Sequence, residues 1–242
     1  MRIHKVLVGV AAIVAMTFGT APASSAEHPH PVRTTQLTLL ATTDVHGNIN
    51  NWDYFKNAPY TERTGDTKGL ASASSIVNAV RAAKGARNVV VVDNGDFLQG
   101  TPVDYYYAVQ EPVTQTGLDH PMAVAYNTVG YDAQVVGNHE FNYGLPMLKA
   151  YVGDADFPVL GANVVSQRTG RPALRPYTMV TRKVAGGPPV TIGVIGLTNP
   201  GSAIWDKANV EGKLRFEDMV ATAAKWVPVV RAHGADVVVV LA

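Results

Sequence analysis

The chain has 242 residues, of which 47% are hydrophobic and 16% are charged, and it contains no cysteine. This composition is that of a globular protein with one sizeable α/β domain, and it excludes an extended disordered chain. The formal net charge of +1 provides no polyanion-binding surface, so a nucleic acid polymer is not expected as a partner. Disulfides and thiolate metal ligands are excluded as well.

The first 26 residues have the pattern of a secretory signal peptide. Arg2 and Lys5 give a basic start, an apolar core of 16 residues follows, and small residues and prolines lead to a cleavage site after Ala26. The alternative is an uncleaved membrane anchor, but a spanning helix needs about 20 apolar residues. We therefore expect an exported protein in the periplasm, cell wall or medium, without a membrane span after cleavage.

Residues 27–36 are expected to form a flexible lead-in to a domain that covers residues 37–242. His28 and His30 lie in this lead-in, where a solvated proline-rich tail is a better interpretation than a pair of metal ligands.

Apolar strands alternate with helical patterns along residues 37–242. Hydrophobic spacing predicts strands over 37–44, 88–96, 133–136, 157–164 and 235–242, a hairpin over 177–184 and 190–197, and helices over 69–85, 119–130, 145–151 and 216–234. In the helix over 69–85, the apolar face is predicted to hold Leu70, Ile76, Val77 and Val80. Asp119 is expected to cap its helix, and Pro228 to bend or divide the last helix. This alternation predicts an α/β fold with a largely parallel or mixed sheet that helices cover on both faces.

Polar side chains follow three successive strands of this predicted sheet. The strands lead into the stretches TTDVHGN, DNGDFLQG and GNHEFNYG. Because the carboxyl ends of parallel strands meet at one edge of a sheet, the side chains after them are expected to converge. The candidates are Asp44, His46, Asp96, Asn138 and His139.

These residue types favour a metal site. On an extended backbone, Asp44 and His46 would leave the same face and could chelate one ion, while the Asp96 carboxylate could bridge two. Histidine, carboxylate and amide ligands without thiolate suit divalent manganese, iron, cobalt or zinc, and the set is mixed enough for two ions. Each residue alone could be structural, as a turn, cap or loop residue. Their joint occurrence at three strand ends favours the site, whereas His120 and His233 are expected to be structural.

The same stretches resemble a known family. DVHGN, NGDFLQG and GNHEFNYG are similar to the first three signature blocks of the calcineurin-like metallophosphatases, specifically the exported 5′-nucleotidase superfamily. The stretches TTDVHGNINNWDYFKNAPYTER and IWDKANVEGK resemble the branch that acts on 2′,3′-cyclic nucleotides and 3′-nucleotides. The resemblance implies a mixed β-sheet sandwich flanked by helices and a dinuclear phosphoesterase with small nucleotides as substrates.

The resemblance also implies a role for each candidate. Asp44 and His46 would bind the first ion, Asp96 would bridge both ions, Asn138 would bind the second, and His139 would stand beside the leaving oxygen. Many relatives have an aspartate three residues after that histidine, where this sequence has Asn142. The partner of His139 is therefore left open, with Glu140 as the nearest acidic residue.

Some parts that the resemblance implies do not occur in this sequence. The family has a further histidine just after the strand over 235–242, then a Gly-His-x-His block, and a second domain that holds the nucleoside base. We therefore expect an N-terminal part of a longer protein, and little or no phosphoesterase activity from residues 27–242 alone. The alternatives are a 5′-nucleotidase, or a non-catalytic secreted protein that keeps a partial metal site.

Overall fold

The computed structural model describes residues 34–62, 64–184 and 187–242. The predicted signal peptide, the cleavage site after Ala26 and the pair His28 and His30 lie outside the described residues, so these expectations stay predictions. Within the described residues, no helix combines the length and the apolarity that crossing a bilayer requires.

The described residues form eleven strands and eight α-helices. The strands are β1 Thr38–Thr42, β2 Trp52–Asp53, β3 Ala58–Pro59, β4 Val89–Asp93, β5 Ala133–Val135, β6 Val159–Leu160, β7 Val164–Ser166, β8 Tyr177–Arg182, β9 Val190–Gly196, β10 Leu214–Phe216 and β11 Val237–Leu241. The helices are α1 Leu70–Lys84, α2 Pro102–Tyr105, α3 Val113–Thr116, α4 Pro121–Val129, α5 Gly144–Asp154, α6 Ser202–Trp205, α7 Lys207–Val210 and α8 Met219–Ala232. Short 3₁₀ turns occupy Ala86–Asn88 and His139–Phe141, and a π-helical turn spans Tyr106–Gln110.

Two sheets face each other in the centre of the fold. The first contains only parallel strands, in the order β1-β4-β5-β6. The second has the order β11-β9-β8, in which β9 runs parallel to β11 and antiparallel to β8. The antiparallel pair β8 and β9 confirms the predicted hairpin.

Side-chain alternation along β4 explains the layers. Val90 and Val92 point to one face of the first sheet and pack in one cluster with Ile192 and Val194 of the second sheet. Val89 and Val91 point to the other face, where buried side chains of α1, α4 and α5 cover them. Helix α8 covers the outer face of the second sheet through Val230. The order helix, sheet, sheet, helix is the predicted mixed sandwich flanked by helices.

The segment 157–164 was wrongly predicted as a single strand. It divides into β6, which pairs with β5, and β7, which pairs antiparallel with β10 in a separate sheet. The N–H groups of Gly161 and Ala162 donate to the carbonyl oxygens of Arg175 and Gly196. The backbone therefore leaves the ladder with β5 at this point.

Two helical predictions need correction. Ile76 is 65% exposed, because it lies one residue before the buried Val77 and so about 100° around helix α1. Pro228 does not divide α8, which runs unbroken from Met219 to Ala232, and the alternative, a bend, stays a prediction. The inner face of α8 packs against the second sheet through Val227 and Val230, and such packing supplies most of the stability of a helix in a protein.

The final strand was predicted to be buried but is partly exposed. Strand β11 lies at the edge of the second sheet and pairs with β9 on one side. Val237 and Val240 are 47% and 41% exposed. The apolar sequence gave the correct element type, and the edge position accounts for the difference in burial.

Helix α4 has a histidine as its N-cap, where Asp119 had been expected. Pro121 occupies the first helical position, so the cap falls on His120, whose Nδ1 accepts a hydrogen bond from the N–H of Met122 at 3.2 Å. The His120 side chain is fully buried. This arrangement agrees with the structural role predicted for His120.

We expect His120 to make stability depend on pH. Burial lowers the pKa of His120 from 6.5 to about 4, so its stabilisation is complete above pH 6.5 and is lost as the pH falls towards 4. Between pH 7 and pH 5, the free energy of unfolding of the wild type should therefore fall by about 2 kcal/mol more than that of His120→Asn, which retains a capping acceptor. Urea unfolding at both pH values measures this difference. His233→Asn, a change at an exposed histidine, is the control, and equal pH dependence in wild type and His120→Asn would contradict the prediction.

Candidate metal centre

Three loops leave the carboxyl ends of the neighbouring parallel strands β1, β4 and β5. The register pairs Thr42 with Asp93 and Asp93 with Gln134, so the strand ends are level. Backbone hydrogen bonds of 3.0 to 3.2 Å join the first two loops: the N–H groups of Asp44, His46 and Gly47 donate to the carbonyl oxygens of Gly95, Asp96 and Phe97. The sheet thus places all five predicted site residues on adjacent loops.

Three of the predicted site residues have left-handed backbone conformations. The φ angles are 53° at Asp44, 49° at His46 and 60° at Asp96. Such conformations cost a non-glycine residue about 1 kcal/mol or more, and they are concentrated at functional sites. The premise that Asp44 and His46 lie on an extended backbone was therefore wrong, because β1 ends at Thr42. The two side chains still meet, with 3.7 Å between Asp44 Oδ1 and His46 Nε2.

His46, Asp96 and His139 form the centre of the site. Each offers one ligand atom, and these three atoms lie within 4.8 Å of one another. The imidazole rings of His46 and His139 meet edge to face, with centroids 4.9 Å apart. His46 Nδ1 lies 2.5 Å from the carbonyl oxygen of Gln99, to which it donates, so Nε2 on the Asp44 side is available as a ligand. This donor set fits a divalent cation.

Glu140 joins the loop after β4 to the loop after β5. Its buried carboxylate accepts hydrogen bonds from the N–H groups of Asp96 and Gly137 at one oxygen, and of Phe97 and Leu98 at the other, over 2.6 to 3.1 Å. Burial and the nearby Asp96 carboxylate raise the pKa of Glu140 to about 8, whereas the N–H donors favour the ionised form. Glu140 is therefore a structural anchor of the site, and it does not orient His139.

The partner of His139 is Asn142. The distance between His139 Nδ1 and Asn142 Oδ1 is 2.7 Å, and the His139 backbone N–H donates to Asp96 Oδ1 at 3.0 Å. Asn138 lies directly before the 3₁₀ turn, half-buried, and its side chain does not cap that turn. Its neighbours Gly137 and His139 are both anchored by hydrogen bonds to acidic side chains, so the backbone of Asn138 is fixed beside Asp96.

Glycine is required where the loops meet. A Cβ atom on Gly137 would lie 2.3 Å from Asp96 Oδ1, and one on Gly95 would lie 2.5 Å from the backbone nitrogen of Gly137. Both distances are shorter than any non-bonded contact, so a larger residue at either position would separate Asp96 from the loop of His139.

The site is surrounded by buried acidic groups. Burial raises the pKa of Asp93 to about 6 and that of Asp104 to about 8. Asp93 accepts hydrogen bonds from Thr42, Tyr126, Gln134 and the Gly95 N–H, whereas both carboxylate oxygens of Asp104 lack a partner within the described residues. Within the same residues, no lysine or arginine forms an ion pair with these carboxylates or with those of Asp96 and Glu140. A bound cation would favour the ionised forms of these groups and so lower their pKa.

Comparison with curated proteins finds close sequence relatives. The chain is 40% identical over 236 residues to the 2′,3′-cyclic-nucleotide 2′-phosphodiesterase/3′-nucleotidase of Yersinia enterocolitica, an alignment that covers 96% of this chain and 33% of that protein. It is 34% identical over its whole length to the trifunctional nucleotide phosphoesterase protein YfkN of Bacillus subtilis, of which it covers 16%. The chain thus spans a third or less of the length of these curated relatives. No protein-family model matches the sequence.

Solved structures share the fold. The calcineurin-like phosphoesterase YfkN from Bacillus subtilis matches with a TM-score of 0.77 and 34% identity, over 86% of this chain and 61% of that one. Over most of its length, the chain is thus similar to a calcineurin-like phosphoesterase. A putative 5′-nucleotidase from Staphylococcus aureus matches with a TM-score of 0.66 and 30% identity, over 84% of this chain and 36% of that one.

The phosphoesterase fold brings together the residues predicted from strand ends, but several others in the site were not predicted. Gln99, Asp93, Asp104 and Asp206 were missed, and Asn142 was noted only as a departure from its relatives. Asp206 lies within the stretch IWDKANVEGK, which carried the family resemblance and was the one signal that could have found it. The metal-ligand roles assigned to Asp44, His46, Asp96 and Asn138 and the catalytic role assigned to His139 stay predictions.

We expect Glu140→Gln to destabilise this protein strongly. A glutamine amide would turn its own N–H donors towards backbone N–H groups, so the free energy of unfolding at pH 9 should fall by about 2 kcal/mol or more. Urea unfolding in the presence of a chelator measures the loss. Glu211→Gln, the same change in a surface pair with Lys207, should cost less than about 0.5 kcal/mol. Equal losses in the two variants would show that Glu140 is not an anchor.

Proposed function

We propose that the chain is the metal-binding part of an exported dinuclear phosphoesterase that hydrolyses 2′,3′-cyclic nucleotides and 3′-nucleotides. The observation that carries this proposal is the convergence of His46, Asp96 and His139, whose ligand atoms lie within 4.8 Å of one another at the edge of the parallel sheet. The substrate class is supported by the 40% identity to a relative named for those two activities.

Two divalent ions fit the residues at this edge. In the proposed assignment, Asp44 and His46 hold one ion, Asn138 holds the other, and the Asp96 carboxylate is shared. When bound, such ions lower the pKa of water and neutralise the charge that develops on a phosphoryl group. The buried acidic side chains, which have no lysine or arginine partner within the described residues, and the strained backbone at Asp44, His46 and Asp96 both support a cation at this edge.

His139 is proposed to act on the oxygen that leaves phosphorus. Its ring is held by Asn142 at one nitrogen and lies against His46. When the ring is doubly protonated, the other nitrogen can donate a proton to a departing ribose oxygen. Opening a 2′,3′-cyclic phosphate and removing a 3′-phosphate are the same displacement at phosphorus with different leaving groups. One site can therefore serve both substrates.

A substrate comparison tests the proposed function. The complete translation product of the gene is assayed with 2′,3′-cyclic AMP, 3′-AMP and 5′-AMP in the presence of Mn²⁺, with residues 27–242 assayed in parallel. We expect turnover of the first two substrates to exceed that of 5′-AMP. Preference for 5′-AMP would favour a 5′-nucleotidase, an assignment that the similarity to the Staphylococcus aureus protein supports. Metal binding without turnover of any substrate would favour a non-catalytic secreted protein.

We predict that Asp96 is the most damaging single metal ligand to lose. A shared carboxylate serves two ions, whereas Asn138 serves one, so Asp96→Asn should reduce bound manganese more than Asn138→Ala does. Elemental analysis after dialysis against Mn²⁺ measures the metal content, with turnover of bis(p-nitrophenyl) phosphate as a second reading. Asp218→Asn, which repeats the same chemical change at the N-cap of α8, should leave both readings unchanged. Equal metal content in Asp96→Asn and wild type would overturn the assignment.

Export is proposed from the basic start, the apolar core and Ala26. Mass spectrometry of the product outside the cytoplasm should give a chain that begins near Glu27. A product that retains Met1 in the membrane fraction would support an anchor instead.

A further inference from the structure

The stretch IWDKANVEGK lies against the loop that contains His139, although it supplies none of the predicted metal ligands. Asp206 Oδ1 accepts a hydrogen bond from the Asn142 side-chain nitrogen at 2.5 Å. Asn209 donates from its side chain to the backbone carbonyls of Phe141 and Asn142, both at 2.9 Å. Two side chains of this stretch therefore hold the residue that contacts His139.

The chemistry of these groups sets the direction of each hydrogen bond. Asn142 turns its NH₂ group towards Asp206 and its carbonyl oxygen towards His139. An ionised Asp206 carboxylate, which has no proton to donate, enforces this direction. The Asn142 carbonyl oxygen can only accept, and it lies 2.7 Å from His139 Nδ1. His139 must therefore carry a proton on Nδ1, which leaves Nε2 unprotonated in the neutral ring.

We propose that Asp206 is a positioning residue that acts through Asn142 to fix the protonated nitrogen and the orientation of His139. This inference rests on the proposed function only for the role of His139 in the reaction, since the geometry of the three side chains stands by itself. Asp206 orients the His139 imidazole without contacting it, because the neutral Asn142 side chain lies between them.

A purely structural role explains Asp206 less well. Asp206 is only 4% exposed, and its Oδ2 has no hydrogen-bond partner within the described residues, which is costly for a carboxylate. Asn209 already fixes the loop backbone through two hydrogen bonds, so holding the loop does not require a buried charge beside it. Only Asp206 supplies Asn142 with a hydrogen-bond acceptor that, when ionised, cannot also donate.

Nitrogen NMR of the histidine rings tests the proposal without substrate or metal. The complete translation product, labelled with ¹⁵N-histidine and kept metal-free by a chelator, is examined by two-bond ¹H–¹⁵N correlation, and His139→Gln identifies the His139 signals. The wild type should show the form protonated on Nδ1. In Asp206→Asn, the new amide can donate to Asn142, which can then reverse, so the His139 signals should shift towards the form protonated on Nε2.

Matched variants distinguish a positioning role of Asp206 from a role in folding. Asp218→Asn and Asn209→Ala should keep the wild-type form of His139, since neither changes the direction of the Asn142 amide. The exchange Asp206→Asn with Asn142→Asp places the carboxylate next to His139 and should restore the form protonated on Nδ1. A wild-type ring protonated on Nε2, or an unchanged His139 in folded Asp206→Asn, would overturn the proposal. If Asp206→Asn does not fold, the variant with both exchanges tests the proposal. A His139 ring protonated on Nε2 in that variant would overturn the proposal.

Kinetics provide a second reading on the same variants. The ring that donates a proton from Nε2 is the doubly protonated one, which also needs an acceptor at Nδ1, and a reversed Asn142 would present a donor there instead. Asp206→Asn should therefore lower kcat for 3′-AMP at least 10-fold, because a ribose oxygen needs a proton to leave, with much smaller effects on KM and on p-nitrophenyl phosphate. Equal losses with both substrates would indicate a structural role and overturn the proposal. If the wild type hydrolyses neither substrate, the proposed function fails, while the NMR result still decides the role of Asp206.

Discussion

The Glu140 carboxylate accepts hydrogen bonds from four backbone N–H groups that belong to two different loops. It thereby fixes the loop of Asp96 against the loop of Asn138 and His139, and the other side-chain positions of the site depend on this contact. The Asp93 carboxylate stabilises the same edge by accepting hydrogen bonds from side chains of β1, β5 and α4. The buried side chains of Glu140 and Asp93 thus hold the loops after three strands together as one surface.

Holding the loops in this way concentrates buried acidic side chains and backbone strain at one edge. Asp44, His46 and Asp96 adopt left-handed conformations there, and the buried Asp104 lies beneath Gly47, where a Cβ atom would be 2.1 Å from its Oδ2. These features all disfavour the folded state when no ligand is bound. A cation that binds the folded state but not the unfolded chain would offset them, which links the stability of this edge to metal binding.

The sequence predicted the features that depend on local patterns. Apolar runs followed by Asp44, Asp96 and His139 predicted both the parallel sheet and the edge at which the site lies, because side chains at parallel strand ends must converge. Contacts between distant segments left no local pattern. Asp206 is 64 residues from Asn142, so its contact with the His139 loop could not be inferred from spacing. The division of 157–164 into β6 and β7 likewise depends on hydrogen bonds to Arg175 and Gly196, which are remote in sequence.

The central claim is that the carboxyl edge of the first sheet binds divalent cations through His46 and Asp96. Anomalous diffraction at the manganese edge, from crystals of the complete translation product grown with Mn²⁺, tests it most directly. The account predicts manganese density within coordinating distance of His46 Nε2 and an Asp96 carboxylate oxygen. Ordered manganese at other side chains, with none beside His46 and Asp96, would contradict it.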